Sequence, residues 1–393
     1  MLLRHLHWYS DGKDGSGDIR VTGGRITDLG KNLTAGFLER VIEFRDCLAL
    51  PGLINSHDHL DFNLLPLRGS PPYTNFTAYA ADVYRPQESP LREVLSIDQR
   101  DRLLWGGYKN LISGATSVCH HNPAHPVLGK RFPVRVVAEV AWSHSLHYSQ
   151  DPLHDFRQAA GRPFVIHAAE GVDEAARREI EELDRLGILQ PNTVIVHGVA
   201  LGQGEIARLE RAGAALIWCP VSNQSLFGQT APLPQLRGRV PFTLASDSLL
   251  TGSATLFDEI RAAHDTGLAS SDELLAMVTT TPSRILRLPP GAGTLRVGAR
   301  ADLIVLADTG ISPAQTLLQS RPADLELVLV GGEVQLAGRG RTHLHANLLI
   351  DGREKYLRGN VARLKSRIVR RLGSNHQAVT ATPLWQMIRS KAD

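Results

Sequence analysis

The sequence predicts an α/β protein: a (β/α)8, TIM-like barrel with a small β-sandwich that both chain ends form together. Two patterns indicate this fold. In the middle of the chain, short apolar runs alternate with amphipathic segments, as is typical of parallel strands joined by helices. At the two ends, short runs instead flank pairs of glycines, which is typical of hairpins in antiparallel sheets. A chain of 393 residues is long enough for one such barrel with an accessory domain.

The chain ends share a short-strand pattern. Residues 18–29 form two runs around a glycine pair, and so do residues 325–335. Further short runs lie at residues 41–50 and 298–306. Neither end has enough strands for an independent sheet. We therefore expect the ends to join into one sandwich that flanks an inserted barrel.

Seven apolar runs in the middle of the chain are candidate barrel strands. They are the run that ends at His57 and the runs at residues 116–119, 134–142, 164–166, 194–196, 215–219 and 242–245. A closed barrel of this type needs eight strands. The barrel is therefore distorted or lacks one strand, and we expect the missing strand between Ser143 and Arg162, where the sequence is polar. Helices are expected at about residues 97–111, 173–186 and 204–212.

The last segment is predicted to be a basic helical tail. From Gly352 to Gly373, apolar residues recur every three or four positions, which indicates an amphipathic helix. We expect its apolar face to dock on the barrel or on a second subunit. The predicted domain boundaries are residues 1–52 and 290–350 for the sandwich, 53–289 for the barrel and 351–393 for the tail.

The composition is that of a globular protein of a reducing compartment. The chain is 42% hydrophobic and 21% charged, and its net charge of +3 gives no basis for nucleic-acid binding. Three cysteines without a close pair argue against a disulfide framework. No apolar run reaches membrane-spanning length, and the first residues lack the pattern of a signal peptide. We therefore expect the protein in the cytoplasm, without a nucleic-acid or membrane partner.

Two histidines one residue apart, His57 and His59, end the first predicted barrel strand. Residues i and i+2 of a strand project from the same face, so both rings can bind one metal ion. Further candidates follow later strands in the same way. They are His167 with Glu170, then His197, and finally Asp247. Each is weak alone, but active sites of such barrels are built at the carboxyl ends of the strands, so the ordered set predicts one site.

Three imidazoles and one carboxylate form a donor set that suits Zn²⁺ or Fe²⁺. The predicted ligands of this one divalent metal per chain are His57, His59, His167 and Asp247. Such a metal lowers the pKa of a bound water from about 16 towards 7. Glu170 is placed to carry a proton from that water. His197 then either polarises the substrate or binds a second metal.

The same residues resemble a known family. The matching segments are Pro51 to His59, Gly114 to Val118, His167 to Glu170, His197-Gly198, Cys219 to Asn223, Ser246 to Ser248, Thr281 to Leu286 and Gly298 to Leu306. Together they resemble the amidohydrolase superfamily, and most closely its cytosine deaminase and chlorohydrolase branch. The resemblance runs from Asp18 to about Gly338.

The resemblance implies the roles already argued from the chemistry. In that branch, the residues matching the four predicted ligands bind a single metal, and the residue matching Glu170 shuttles protons. The residue matching His197 contacts substrate, so the catalytic residues are expected to be Glu170, His197 and Asp247. The expected reaction is deamination at a ring carbon of an aminated N-heterocycle.

Three alternatives remain at this stage. Relatives that cleave amide bonds or displace chloride use nearly the same metal site. A binuclear enzyme would need a bridging lysine or glutamate; no predicted strand contains a lysine, and Glu139 is the candidate glutamate, although a buried, paired carboxylate is the simpler interpretation. A binding protein that has lost catalysis is the third alternative, since fold does not imply function.

Four further residues are predicted to contact the substrate, a small molecule. His121 and Trp142 follow two predicted strands, and Ser222 and Asn223 follow a third. His120 and His144 are neighbouring candidates of the same kind. The sequence leaves the substrate, the native metal and the oligomeric state open, and a homo-oligomer is compatible with it.

Overall fold

Three hydrogen-bonded sheets organise residues 1–65 and 68–390, the part of the chain that this computed structural model describes. The strands are β1 (Leu2–Ser10), β2 (Lys13–Thr22), β3 (Arg25–Gly30), β4 (Val41–Glu43), β5 (Cys47–Pro51), β6 (Leu53–Asp58), β7 (Ala115–His120), β8 (Arg135–Val136), β9 (Ala141–Ser145), β10 (Phe164–Ala168), β11 (Thr193–His197), β12 (Ala215–Trp218), β13 (Phe242–Leu244), β14 (Leu303–Ala307), β15 (Leu325–Val330), β16 (Glu333–Gly338), β17 (Leu348–Ile350), β18 (Arg353–Leu357) and β19 (Ile388–Ser390).

Helices connect most of these strands. They are α1 (Phe76–Val83), α2 (Leu91–Leu95), α3 (Gln99–Ile112), α4 (Pro152–Gln158), α5 (Glu174–Arg185), α6 (Gln203–Ala212), α7 (Pro220–Phe227), α8 (Leu233–Leu236), α9 (Leu256–Asp265), α10 (Ser271–Met277), α11 (Thr280–Ile285), α12 (Pro313–Gln319), α13 (Val361–Leu372), α14 (Gln377–Thr380) and α15 (Pro383–Met387). The three helices expected from the sequence, now α3, α5 and α6, are confirmed to within two residues. Within the described ranges, no helix has the length and apolarity that crossing a bilayer requires.

The two chain ends form one mixed sheet, as expected. Its order is β19-β17-β18-β16-β15-β14-β5-β1-β2-β3, with β4 beside β1. The ends meet where β5 runs antiparallel to β14, so that Pro51 lies opposite Leu303 and Cys47 opposite Ala307. Strand β1 was not expected, and it links β5 to the β2–β3 hairpin. A separate apolar core of the sheet includes Leu3, Ile19, Phe44, Val305 and Leu329.

The middle of the chain forms two parallel sheets. One has the order β13-β12-β11-β10-β9, and the other has the order β6-β7-β8. All neighbouring pairs in both sheets are parallel. In the register of β10 and β11, Ala168 lies opposite His197, so the ends of these strands carry His167 and His197 side by side.

The predicted strand at residues 134–142 is wrong as a single element. It divides into β8, which pairs with β7, and the start of β9, which pairs with β10. The connection of four residues, 137–140, is too short for a helical crossover between neighbouring parallel strands, so it carries the chain from one sheet to the other. No strand is missing, because the described chain has eight parallel strands from β6 to β13. Residues 143–162, where the gap was expected, hold the end of β9 and helix α4.

The segment from Gly352 to Gly373 is only partly helical, contrary to the prediction. It begins as β18, in which Leu357 pairs with Leu336 of β16. Leu357 has the spacing of the helical pattern that follows, which is why the sequence could not separate the two elements. The helix itself, α13, buries its apolar stripe in the main core, while Arg367 makes a two-point hydrogen bond to Asp101 of α3 at 2.8 and 2.7 Å.

Candidate active site

The strand-end residues singled out in the sequence converge at one end of the parallel sheets. His57 lies in β6 and His167 in β10, while His197 ends β11 and Asp247 follows β13. All four side chains are buried. His59 follows β6 directly and is partly exposed. Carboxyl ends of parallel strands are where sites of α/β proteins are built, and this site follows that rule.

Three imidazole nitrogens face a common centre. The Nε2 atom of His167 lies 3.2 Å from Nε2 of His57 and 3.3 Å from Nε2 of His59. Two nitrogens bound to one tetrahedral zinc ion at about 2.0–2.1 Å would stand about 3.3 Å apart. The Oδ1 atom of Asp247 lies 3.8 Å from Nε2 of His57. The spacing of these donor atoms therefore fits one metal ion.

Two overlapping groups of donor atoms can hold a metal ion. One is His57, His59 and Asp247, and the other is His57, His167 and His197. The Nδ1–H group of His167 donates to the backbone oxygen of His144 at 2.6 Å, which directs the Nε2 lone pair towards the centre. The Nδ1 atoms of His57 and His59 have no hydrogen-bond partner among the described residues.

The backbone is strained at the ends of these strands. Ala169, His197 and Asp247 have φ angles of 53°, 78° and 52°, in the left-handed region that residues with a Cβ atom rarely adopt. Such strain persists only where the surrounding structure holds it, and it is typical of functional sites. The unusual backbone directs the side chains of His197 and Asp247 towards the centre of the site.

Asp247 is surrounded by hydrogen-bond donors. The backbone N–H of Ser248 donates to Oδ1 at 2.6 Å, and the hydroxyls of Ser222 and Thr251 donate to Oδ2 at 3.0 and 2.8 Å. Burial is the largest influence on the pKa of Asp247 and raises it. The proximity of the His59 and His197 rings and the bonds from Ser248 and Thr251 outweigh burial, so the pKa is lowered. The anionic form of Asp247 is therefore favoured, as a metal ligand requires.

Burial favours the neutral form of three histidines of the site. Burial lowers the pKa of His57 and His167 well below the ordinary value, and it also lowers the pKa of His197. A neutral imidazole has a free lone pair, which is the form that binds a metal. The donor set thus has both the geometry and the protonation state that a divalent cation requires.

The pKa of Glu170 is shifted upwards, which favours the protonated carboxyl group. Burial raises its pKa well above the usual carboxyl range, and the charges of Asp247 and Glu179 add to the effect. Its Oε1 atom lies 3.5 Å from Nε2 of His197, and its buried Oε2 atom has no partner among the described residues. A carboxyl group that takes up a proton more readily than usual is suited to general acid and base chemistry.

A cavity of about 910 Å³ opens onto His59, His167, Glu170, His197 and Asp247. Aromatic rings form much of its wall: Phe62, Phe76, Tyr79, Tyr84, Trp142 and Tyr148. The Phe76 ring is parallel to that of His167, with centroids 6.4 Å apart. The cavity has the size and mostly apolar lining of a small-molecule site.

Only one of the four predicted substrate contacts, Trp142, lines this cavity. His121 is fully buried beside the rings of His57 and His167, where its Nε2 atom lies 2.9 Å from the backbone oxygen of Ser143. Ser222 donates to Asp247, and Asn223 accepts from Nδ1 of His197 at 2.9 Å. These three residues contact the site residues instead of the cavity. For Ser222 and Asn223 the reason is that α7 begins directly after β12 and turns its first residues inwards.

Glu139 does not lie where a bridging glutamate would have to be. The sequence suggested a buried strand position, but Glu139 is exposed in the connection between β8 and β9. It belongs to neither group of metal-binding donors. The chain leaves one sheet at this point, so the residue never faces the interior.

Some of the cavity wall was not anticipated from the sequence. Phe76 and Tyr79 come from α1, a short helix that has no clear start signal except Asn75, whose side chain accepts from the N–H of Ala78. The Tyr79 hydroxyl is buried and has no partner among the described residues. His144 was only a weak candidate, and it contributes both its ring and the backbone oxygen that orients His167.

A model of the amidohydrolase family matches residues 124–335, which is more than half of the chain. The chain belongs to the amidohydrolase family. The matched segment contains the second half of the site, from His167 to Asp247. This outcome confirms the resemblance that the strand-end motifs indicated.

Curated relatives of this amidohydrolase include several deaminases. It is 26% identical to the 5-methylthioadenosine/S-adenosylhomocysteine deaminase of Syntrophobacter fumaroxidans, over 74% of this chain and 80% of the relative. It is 25% identical to the enzyme of the same name from Pyrococcus furiosus, over 81% of this chain and 90% of the relative.

Solved structures with the same fold include two zinc-containing proteins. One is an adenosine deaminase from Xanthomonas campestris with bound zinc, with a TM-score of 0.75, 16% identity and coverage of 96% of this amidohydrolase and 98% of that chain. The other is the atrazine chlorohydrolase of Arthrobacter aurescens complexed with zinc, with a TM-score of 0.74, 17% identity and coverage of 94% and 99%. At these identities the likeness concerns the fold alone.

Proposed function

We propose that this amidohydrolase is a metal-dependent aminohydrolase that removes an amino group from a ring carbon of an N-heterocycle. One observation carries the proposal. The Nε2 atoms of three histidines and the carboxylate of Asp247 converge beside the buried Glu170, on the wall of an aromatic cavity. Water activation, proton transfer and binding of a flat ring need these three features together.

One divalent cation per chain would be held by His57, His59, His167 and Asp247. The separations of the imidazole nitrogens support zinc, and the solved structures from Xanthomonas campestris and Arthrobacter aurescens contain zinc. A cation in this position supplies one thing, a bound water whose pKa is lowered towards about 7. Iron(II) remains a second metal that accepts the same donors.

The residues around the metal site then have distinct tasks. Glu170 holds and moves the proton, because its carboxyl group is protonated more readily than an ordinary one. His197 faces the same space through Nε2, while Asn223 fixes its ring by accepting from Nδ1. In the neutral ring this leaves the lone pair of Nε2 facing the substrate space, so His197 accepts there and would polarise a substrate atom only after it has taken up a proton. Asp247 completes the group as ligand and as a fixed negative charge.

The aromatic cavity supports a flat heterocyclic substrate. Trp142, Phe76 and Tyr148 offer ring faces and edges to it. The deaminases among the relatives act, by their names, on 5-methylthioadenosine, S-adenosylhomocysteine and adenosine. We infer an aminated purine or a related ring as the substrate class. The likeness to a chlorohydrolase makes displacement of chloride from such a ring the second candidate.

We also infer that the eight parallel strands close into a barrel. Across the open edges of the two parallel sheets, Ser56 of β6 hydrogen-bonds to Thr243 of β13 at 3.1 Å. A small apolar cluster also draws residues from both sheets, among them Ile54, Val165 and Ile217. The barrel is distorted where residues 137–140 pass from β8 to β9.

The domain division follows from the same inference. Residues 53–289 would be the barrel, and residues 1–52 with 290–357 would be the accessory domain, which β18 and β19 extend beyond the boundary at 350. At the turn between β2 and β3, the backbone N–H of Ala301 donates to the oxygen of Gly24 at 2.9 Å. This contact supports a sheet that curls back on itself as a sandwich.

Metal analysis combined with a product screen tests the proposed function. Purified protein is analysed for metals and incubated with 5-methylthioadenosine, S-adenosylhomocysteine, adenosine and aminotriazines, and ammonia is measured. We expect about one zinc per chain and ammonia from at least one compound. About two metals per chain would indicate a binuclear enzyme, chloride from a chlorotriazine without ammonia would favour the second candidate, and neither metal nor product would overturn the proposal in favour of a binding protein.

A further inference from the structure

A buried lysine lies behind the metal site. Lys109 belongs to α3, and only 1% of its surface is exposed. Its Nζ atom donates to the backbone oxygen of Asp247 at 2.5 Å, and to Oδ2 of Asp58 and Oγ of Ser246 at 3.2 Å each. These three acceptors use all three hydrogens of an ammonium group. Nothing in the proposed chemistry uses Lys109.

The acceptors of Lys109 lie at the ends of two strands that lead to proposed metal ligands: Asp58 is the last residue of β6, and Ser246 and Asp247 follow β13. Asp58 stands between His57 and His59, and its carboxylate is fully buried. It also accepts from the side-chain amides of Asn63 at 2.9 Å and Asn110 at 2.8 Å. Since strand side chains alternate, Asp58 points away from the metal site, and Lys109 meets it from behind.

The same lysine reaches the strained backbone of the opposite ligand. Asp247 has a φ angle of 52°, and its carbonyl oxygen points to Nζ. Ser246 extends the link, because its hydroxyl lies 2.9 Å from Nδ2 of Asn55 in β6. One ammonium group therefore connects the turn after β6 with the turn after β13.

A buried ion pair contributes little net stability to a fold. Desolvation of the two charges offsets most of their attraction, and apolar replacements of such pairs are often neutral or stabilising. A role in holding geometry accounts better for a pair that touches both halves of a ligand set. Partners behind metal ligands typically change metal affinity by about 10- to 100-fold.

We propose that Lys109 is a positioning residue for the metal centre. With Asp58 as its partner, it holds the His57–His59 turn and the backbone of Asp247 at the distance at which their side chains bind one cation. This inference rests on the metal site proposed above. Helix α3 would thereby support the metal site through Lys109, although the helix contributes no ligand.

A comparison of two buried lysines tests the inference. Lys355 in β18 also donates to a backbone oxygen, that of Leu325 at 2.7 Å, and to a carboxylate, that of Glu326 at 3.4 Å, but it belongs to the mixed sheet. The zinc affinities of the wild type, Lys109→Gln and Lys355→Gln are measured by competition with a chromophoric chelator. The melting temperatures of the metal-free proteins are measured in parallel.

We expect Lys109→Gln to weaken zinc binding by about 10- to 100-fold. Lys355→Gln is expected to lower the melting temperature to a similar degree while leaving zinc affinity unchanged. Equal zinc affinities in all three proteins would overturn the role of Lys109. If the wild type binds no zinc, the proposed metal centre fails first, and the positioning role fails with it.

A second variant covers the outcome in which Lys109→Gln does not fold. The double substitution Lys109→Met with Asp58→Asn leaves no unpaired buried charge, and the oxygen of the new amide can still accept from one of the two asparagines that donate to Asp58, Asn63 or Asn110. We expect this protein to fold and to bind zinc at least tenfold more weakly than the wild type. Wild-type affinity in the folded double variant would overturn the proposal.

Discussion

The Nε2 atoms of His57 and His167 lie 3.2 Å apart, although 110 positions separate the two residues in the chain. Each ring comes from the end of a different parallel strand, and the two strands belong to different hydrogen-bonded sheets. The Nδ1–H of His167 donates to His144, so its Nε2 lone pair faces this gap, and 3.2 Å is close to the spacing of two nitrogens bound to one zinc ion. The site therefore fits a cation, and its properties should depend on each predicted ligand.

Removal of one ligand should release the metal. His167→Ala deletes the nitrogen that lies within 3.3 Å of both other imidazoles. We expect zinc per chain, measured by plasma mass spectrometry after dialysis, to fall from about one to near zero. His264→Ala, which changes an exposed histidine on α9, is the control and should keep full occupancy. Retention of zinc in His167→Ala would exclude His167 as a ligand.

Glu170→Gln should separate metal binding from turnover. The amide keeps the shape of the side chain but cannot accept or release a proton at neutral pH. We expect normal zinc content and a fall in kcat of about 10²- to 10⁴-fold, the usual contribution of a general acid or base. Glu174→Gln, on the exposed face of α5, is the matched control. Near-normal turnover in Glu170→Gln would show that another group moves the proton.

Trp142→Ala should weaken substrate binding without affecting the metal. Trp142 lines the cavity and is the predicted substrate contact that the structure places there. Stacking of a base on an aromatic side chain contributes about 1–3 kcal/mol, so we expect KM to rise about tenfold or more. Phe37→Ala removes a ring that is 96% exposed and should change nothing. Unchanged KM in Trp142→Ala would remove Trp142 from the binding surface.

Stability should depend on pH through Glu259, a fully buried residue of α9. Burial raises its pKa from the ordinary 4.5 to about 7. Below pH 4.5 both the folded and the unfolded chain bind the proton. As pH rises, the unfolded chain loses the proton first, so stability falls until the folded pKa is passed. The loss attributable to this group by pH 8 is on the order of 3 kcal/mol.

Glu259→Gln checks that expectation. The amide can still accept from the N–H of Val221 and donate to Ser253, the two partners of the carboxyl group. We expect urea unfolding midpoints of the variant to change less between pH 5 and pH 8 than those of the wild type. An identical pH dependence in both proteins would mean that Glu259 stays ionised in the fold.

The sequence alone predicted the local structure of this protein, that is, several strands and helices and the polar residues at their ends. Apolar runs that end in His57, His167 and His197 predicted strands with ligands at their carboxyl ends, because a run of apolar residues and the polar residue after it are neighbours in the chain. Helices α3, α5 and α6 were predicted for the same reason. Their caps and their apolar periodicity depend only on residues that are close in the sequence. Asp173, for example, accepts from the N–H of Ala176.

The tertiary structure decided which neighbours each segment has. The run at 134–142 divides because β8 pairs with β7 and the start of β9 pairs with β10, and periodicity carries no information about pairing partners. Ser222 and Asn223 turn away from the cavity, and Phe76 enters it, because packing sets those directions. Lys109 meets Asp58 and Asp247 only once α3 has packed behind both strands. Local pattern predicts strands and ligands, whereas contacts between distant segments exist only after the chain has folded.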